Sequence, residues 1–328
     1  MKALQLINYG SISESLKFSE VEKPSISKED VLIEVKAAAI NPIDKSIILG
    51  NLQRMLPLTL PCTVAYDVSG IITDLGTDTN DFKVGDFVYA RVPQEQMGTL
   101  AEYVAVNQFA ISKKPANISF EDAAGIPLAM LTALQSFEAA NLKRDDRVLV
   151  HAGSGGVGTL AIQYAKAKGA YVYTTTSTAN VEWVKALGAD KVVDYKKEDY
   201  KSIVSSVDIV LDTLGGDYSL EAFEVLKKGG IVVSVKGPLD ENTAKNIGMT
   251  GYKLPETIKQ LENDKDAQYK FVFMHPNGHH LNQVRQLVEQ TLIKPVTDTV
   301  YPFEKSIEAF THLATGRAKG KIIISFQF

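Results

Sequence analysis

Three glycines, Gly153, Gly155 and Gly158, stand in the order G-x-G-x-x-G within the stretch "HAGSGGVG". Without a Cβ the backbone can turn sharply and approach a phosphate closely. A helix that starts inside the motif adds unsatisfied N–H groups and the positive end of its dipole. The chemistry this allows is capture of a pyrophosphate. The motif alone is weak, because glycine-rich turns are common and a plain strand-to-helix turn is the competing reading. Its surroundings make it specific. The β-branched run "RVLVH" precedes it, and Val157, Leu160, Ala161, Tyr164 and Ala165 follow at helical spacing. On this pattern Gly153 permits the tight turn, Gly155 the approach to a pyrophosphate and Gly158 the packing of helix on sheet. Ser154, Gly156 and Val157 lend backbone to the same cradle.

The next apolar run selects the nucleotide. An NAD site carries an acidic residue about 20 residues on, to accept the ribose 2′-hydroxyl. Here the strand end reads "YVYTTTSTANVE", with no carboxylate before Glu182, which lies inside the next helix. Thr175, Thr176, Ser177 and Asn180 offer hydroxyl and amide donors in its place, which suits a 2′-phosphate. Thr, Ser and Asn also build ordinary turns. The expected cofactor is NADPH.

Composition excludes several classes. The 328 residues carry a formal charge of −4 with scattered lysines, so a clustered basic footprint for nucleic acid is missing. A single cysteine, Cys62, rules out an internal disulfide and a four-cysteine zinc site, and fits a reducing, cytoplasmic setting. The most apolar run, "AAGIPLAMLTAL", is shorter than the roughly 20 residues needed to span a bilayer, and the chain opens without an apolar leader.

These motifs need elements to hold them. The first part is β-rich: "DVLIEVKAAAI" alternates at period two, and "DFKVGDFVYARV", "GTLAEYVAV" and "FAISKKP" read as further short strands. "ISFEDAAGIPLAMLTALQSFEAANL" reads as helix, with Ser119 and Asp122 as a capping pair and Pro127 as a break. From Arg147 strands and helices alternate through "AYVYTTT", "NVEWVKAL", "DKVVDY", "DIVLDT", "SLEAFEVLKK", "GIVVSV" and "KFVFMH", which means a parallel sheet. A helix over 281–292, a loop "KPVTDTVYPF", a helix "SIEAFTHLAT" and a strand "KIIISF" complete the chain. The expected fold class is α/β, with a doubly wound Rossmann sheet flanked in sequence by a second, β-rich domain.

With these residues in view the chain resembles the medium-chain dehydrogenase/reductase superfamily, in its zinc-independent quinone oxidoreductase branch with the enone and alkenal reductases. The resemblance rests on "AAAINPIDK", "PCTVAYDVSG", "FKVGDFVYA", "GTLAEYVAV", "AGIPLAMLTAL", "HAGSGGVGTLAIQYAKAKGA", "LGADKVVDY", "DTLGG" and "GRAKGKIIIS". It implies a GroES-like β-barrel domain over 1–123 and 277–328, with the Rossmann NADP-binding domain over 124–276 inserted between. The zinc members of the superfamily hold their metal with Cys and His. Here all five histidines lie at 151, 275, 279, 280 and 312, and Asn41, Asp44 and Ala65-Tyr66-Asp67 stand where ligands would be. No metal site is therefore expected.

Without a Lewis acid, the acceptors that suit hydride transfer are already electrophilic: quinones and α,β-unsaturated carbonyls. The resemblance places Asn41 and Tyr66 at the nicotinamide end of the site, as donors to the substrate oxygen. As bare residues they also read as a turn residue before Pro42 and a core aromatic. By the same resemblance Thr132, Phe273 and Met274 lie near the nicotinamide. Leu214, Gly215, Val235, Lys236 and Gly237 sit in loops lining the crevice, Tyr195 meets the 2′-phosphate or adenine, and Arg317 and Lys321 supply positive charge. The partners are a small-molecule substrate and a second copy of the chain, joined through a sheet edge such as "GIVVSVK". The alternatives are a non-catalytic NADPH-binding relative and a metal-dependent alcohol dehydrogenase.

Overall fold

In the computed structural model the chain is described over residues 1–326; Gln327 and Phe328, the end of the expected return segment, lie outside the described residues. It divides into two compact units. One comprises Met1–Leu131, His275–Thr291 and Pro295–Phe328, the other Thr132–Met274 and Leu292–Lys294.

The second unit is built on a six-stranded parallel sheet. Its spatial order is Lys191–Asp194, Tyr171–Thr176, Arg147–Val150, Val207–Asp212, Leu226–Ser234 and Gln268–Phe271. In chain order that is 3-2-1-4-5-6, the doubly wound Rossmann arrangement. The two central strands contribute Val148, Leu149, Val150, Val210 and Leu211, all fully buried. Such unbroken apolar runs are what a sheet covered on both faces requires. Helices Gly156–Ala167, Val181–Lys185, Asp217–Val225 and Glu256–Lys265 alternate with the strands. Because the strands are parallel and Val150 lies opposite both Thr174 and Leu211, the loops after each strand gather at one end of the sheet.

The structure corrects several sequence expectations here. "GIVVSVK" is not an edge: Leu226–Ser234 pairs with Val207–Asp212 on one side and Gln268–Phe271 on the other, and the latter is the edge strand. The helix expected through "SLEAFEVLKK" stops at Val225. Leu226 already pairs with Val207, and the Lys227 ammonium is held by Asp208 on the neighbouring strand, so local helix propensity yields to sheet pairing. Phe273 and Met274 lie beyond the last strand, which ends at Phe271.

The first unit contains a seven-stranded sheet organised around the long strand Asp30–Ile40. That strand pairs antiparallel with Asp67–Leu75, Tyr103–Asn107 and the C-terminal strand Lys321–Ser325. "KPVTDTVYPF", expected as a loop, contains the strand Thr297–Pro302, paired parallel to Lys321–Ser325. Its prolines masked it, yet Pro302 at the end of an edge strand removes no needed donor. A three-stranded sheet joins Leu16–Glu20, Lys2–Leu6 and Cys62–Thr63. Pro127 separates the helices Phe120–Ala124 and Pro127–Ala139, and Ser119 Oγ accepts from the Asp122 N–H at 3.1 Å. Among the described residues no helix is long and apolar enough to cross a membrane.

Candidate functional site

Each unit gathers its own set of candidate residues. In the Rossmann unit the glycine loop joins Arg147–Val150 to Gly156–Ala167. The left-handed residue of the turn is Ala152 (φ 52°), not one of the three glycines. Each glycine answers a different demand. A Cβ on Gly153 would lie 2.2 Å from Thr174 Oγ1, so this is where the loop packs on the sheet. A Cβ on Gly158 would lie 2.2 Å from the Ala152 carbonyl oxygen and 2.8 Å from Gly153 Cα, so it lets the helix close onto its own turn. A Cβ on Gly155 would meet only the Ala152 oxygen, at 3.4 Å. The fold itself does not demand glycine there, and the open face is available to a ligand. Gly155 is the N-cap, and the helix behind it carries unsatisfied first-turn N–H groups. Cradle and donors together fit a pyrophosphate, with Ser154, Gly156 and Val157 half-buried around it.

Thr175 has a task inside the protein. Its Oγ1 accepts from the Ala152 N–H at 3.2 Å and lies 3.2 Å from His151 Nδ1, and its carbonyl takes the Gly153 N–H at 2.9 Å. It braces the glycine turn, and only 4% of it is exposed. Thr176 is buried as well. At the strand end the half-buried Ser177 takes a hydrogen bond from Asn180 Nδ2 at 3.2 Å, while Asn180 Oδ1 accepts from Trp183 Nε1 at 3.0 Å. The exposed Tyr195 is tied beside them by its N–H to the Thr176 carbonyl, 3.1 Å away.

His151 is fully buried between Tyr200 and Tyr218, and burial lowers its pKa to about 4 although Asp212 pulls the other way. Asp212 organises the loops after the fourth and fifth strands. Its Oδ1 accepts the N–H groups of Leu214 and Gly215, both at 2.9 Å. Its Oδ2 accepts the hydroxyls of Ser219 at 2.6 Å and Ser234 at 2.8 Å. Ser234 Oγ in turn accepts the Gly237 N–H at 2.7 Å, and the Val235 N–H reaches the Asp212 carbonyl at 3.0 Å. Gly215, at φ +69°, packs against the Lys236 carbonyl, where a Cβ would stand 2.6 Å away. Sequence reading missed Asp212; its signal was an Asp closing a strand just before "TLGG", the pattern of an Asx turn. Thr132 is nearly buried, its carbonyl accepting the Ser136 hydroxyl at 2.7 Å.

In the first unit, strand register sets the second constellation. Ile40 pairs with Ile322, Ala39 with Asp67, and Asp67 with Arg91, so Asn41, Asp67, Arg91 and Lys321 are brought together where four strands meet. All four are buried, as are Asp44 and Tyr66. Asp67 Oδ2 accepts from Asn41 Nδ2 at 2.9 Å and from Lys321 Nζ at 3.2 Å. Its Oδ1 accepts the Leu128 N–H at 2.8 Å, on the first turn of Pro127–Ala139. Lys321 Nζ also donates to Asn41 Oδ1. Asn41 caps Pro42–Ile48, and its N–H donates to Asp44 Oδ2 at 2.7 Å. Burial drives the Asp44 carboxyl up to about 7; Asp67 pushes the same way, and the Asn41 N–H, Lys321 and Arg91 oppose it.

The Arg91 guanidinium lies 4.3 Å from the centre of the Tyr66 ring. The Tyr66 hydroxyl is enclosed without a hydrogen-bond partner, and burial raises its pKa. The pair expected to supply positive charge splits: Arg317 is exposed, whereas Lys321 is spent on Asp67 and Asn41 and is not free for a phosphate. Among the described residues no group of three or more His, Cys, Asp or Glu is placed to hold a metal.

Residues 27–116 match the family described as alcohol dehydrogenase GroES-like domain, and residues 187–324 the family described as zinc-binding dehydrogenase. A 2-methylene-furan-3-one reductase of Solanum lycopersicum is 35% identical over 99% of this chain and 79% of its own. A chloroplastic NADPH-dependent alkenal/one oxidoreductase of Arabidopsis thaliana is 34% identical, with the same 99% and 79% coverage. The solved quinone oxidoreductase of Coxiella burnetii superposes with a TM-score of 0.88 at 33% identity, covering 100% of this chain and 99% of that one. A GroES-like domain interrupted by a Rossmann domain, with relatives of this similarity along its whole length, makes this chain an oxidoreductase of the quinone and alkenal oxidoreductase family of the medium-chain dehydrogenase/reductase superfamily.

Proposed function

We propose that the protein is an NADPH-dependent reductase that transfers hydride to quinones or α,β-unsaturated carbonyls without a catalytic metal. The observation that carries this reading is the make-up of the buried cluster in the GroES-like unit. It holds an amide, a phenol, two carboxylates and two cations, and the Lys321 ammonium sits on Asp67 and Asn41, where it would repel a metal ion. A site whose buried ammonium disfavours a metal ion suits acceptors that are electrophilic already. Support for the cofactor and substrate class comes from the relative named as an NADPH-dependent alkenal/one oxidoreductase.

Bound NADPH supplies the hydride. The glycine loop and the first turn of Gly156–Ala167 would hold its pyrophosphate. Ser177, Asn180 and Tyr195 would meet the 2′-phosphate, with Thr175 bracing the loop behind them. The loops pinned by Asp212, carrying Leu214, Gly215, Val235, Lys236 and Gly237, would border the nucleotide, and Thr132, Phe273 and Met274 its nicotinamide end. Asn41 donates an N–H to the substrate oxygen as negative charge gathers there, and the Tyr66 hydroxyl is the second candidate donor. In this reading the protein works as a homodimer in the cytoplasm, and the free edge Gln268–Phe271 is the strand suited to pairing with a second copy.

The direct test is single-turnover loss of NADPH absorbance on mixing with a quinone or an enone. Turnover with either class is expected, and no loss with any of them would leave a nucleotide-binding protein without reductase activity. The rate is expected to survive exhaustive dialysis against a strong chelator; loss restored only by zinc would refute the metal-free reading. For cofactor choice, Ser177→Asp places a carboxylate at the strand end. NADPH is expected to bind roughly ten-fold more weakly while NADH is little affected, because like charges at this range repel. Equal dissociation constants for the two nucleotides in the unaltered protein would remove the basis of this assignment.

A further inference from the structure

Asn41 is held on both sides by charged groups of opposite sign. Its Oδ1 accepts from Lys321 Nζ, which can only donate, and its Nδ2 donates at 2.9 Å to Asp67 Oδ2, which as a carboxylate can only accept. Turning the amide over would set N–H against ammonium and carbonyl against carboxylate, replacing two attractions by two repulsions. Asp67 is itself fixed from the far side by the Leu128 N–H at 2.8 Å. The ion pair is enclosed, with side-chain exposures of 6% for Lys321 and 0% for Asp67, so water does not compete for its geometry. An amide nitrogen has two N–H bonds. One goes to Asp67, and the other has no further partner among the described residues.

We propose that Lys321 is a positioning residue for the reaction, holding the Asn41 carboxamide in the one orientation that leaves a single N–H free to meet the substrate oxygen. This rests on the reading of Asn41 as a substrate donor. It gives the buried lysine a task distinct from binding the cofactor phosphate. It also makes the site selective for acceptors with an oxygen that gains charge, since an amide free to turn would present its carbonyl oxygen half the time and repel the developing oxyanion.

A double-mutant cycle with Asn41→Ala, Lys321→Met and the pair tests it, with kcat, KM and the NADPH dissociation constant read for one enone. If Lys321 acts through Asn41, Asn41→Ala lowers kcat about ten-fold, Lys321→Met lowers it by about two-fold or more but no further than Asn41→Ala, and the double variant is no slower than Asn41→Ala. NADPH affinity should stay within about two-fold throughout, because neither side chain carries the nucleotide. Lys321→Gln, which keeps a neutral N–H donor, is expected to recover part of the rate lost in Lys321→Met. Should Lys321→Met fail to fold, Lys321→Gln closes the cycle and is judged by the same additivity. If the losses multiply, Lys321 does not work through Asn41 and the positioning role is overturned while the Asn41 donor stands. If Asn41→Ala alone keeps the full rate, the donor reading falls, and the positioning role with it.

Discussion

Gly158→Val is expected to abolish nucleotide binding and lower the melting temperature, whereas Gly155→Ala is expected to weaken nucleotide binding alone. The two glycines are three residues apart, but the space around them differs. At position 158 a Cβ would lie 2.2 Å from the Ala152 oxygen and 2.8 Å from Gly153 Cα, both backbone atoms that cannot rotate aside. Helix and turn must separate, and overpacking of this kind costs about 1–3 kcal/mol. The displaced loop would no longer aim its N–H groups at one point, so the NADPH dissociation constant should rise at least ~100-fold, as expected when several charge-assisted hydrogen bonds are lost together. At position 155 the nearest atom is 3.4 Å away and φ is −85°, so alanine fits the free protein without strain. Only the ligand would meet the added methyl. Thermal unfolding and nucleotide titration of both variants read the contrast. Unchanged NADPH affinity in Gly158→Val would show that the loop does not hold the nucleotide, and an equal loss of melting temperature in both would refute the steric assignment.

Asp44→Asn is expected to raise stability above pH 7 and leave it unchanged at pH 4. Burial lifts the Asp44 carboxyl to about 7, so between about pH 4 and pH 7 the folded protein holds a proton that the unfolded chain has released. Stability tied to this group is therefore complete at low pH and lost as pH rises through 7. His151 works in the opposite sense. With its pKa lowered to about 4, the unfolded chain binds the extra proton between pH 4 and about 6.5, and stability rises with pH across that window. The two slopes oppose each other in the wild type. Asparagine at position 44 keeps an acceptor for the Asn41 N–H, now made at 2.7 Å, and removes the cost of a buried charge. The gain at pH 8 should be on the order of 4 kcal/mol, from about three pKa units of difference. The stability of the variant should also climb more steeply between pH 4 and 6.5, with the His151 slope unopposed. Urea unfolding at pH 4.5, 6 and 8 measures both effects, and a variant no more stable than the parent at pH 8 would show that Asp44 ionises without penalty.

Where local pattern and tertiary structure agree, the sequence was legible. The strands "RVLV" and "DIVLD" carry apolar runs because both faces are covered, and the glycine loop lies between a strand and a helix as the motif requires. Legibility failed where a partner far along the chain decides. "LKK" carries helix propensity, but pairing with Val207 and the Asp208 carboxylate draws it into a strand. "TDTVYP" becomes a strand because Lys321–Ser325 lies beside it. The individual task of each glycine depends on what stands opposite, Thr174 for one and the Ala152 carbonyl for another, and spacing does not record that. In the GroES-like unit, Asn41 and Tyr66 were singled out by type, whereas Asp44, Asp67 and Arg91 were passed over as roles in their own right. An Asp three residues after an Asn, or directly after a Tyr, has no distinctive pattern until strand register brings Lys321 to it.

That register also imposes a timetable on the ribosome. Thr132–Met274, which supplies nearly all of the Rossmann unit, emerges before the chain has reached the strand Lys321–Ser325, which lies between Asp30–Ile40 and Thr297–Pro302. At about 5–20 residues per second, synthesis from residue 131 to Lys321 takes roughly 10–40 s. Throughout that interval the first 131 residues have no C-terminal strand to pair with, and Asp67 has no ammonium beside it. The nucleotide fold can therefore form while translation continues. The constellation around Asn41 is completed among the last steps, so under the proposed function a nascent chain would gain the means to bind NADPH before it gains the means to use it.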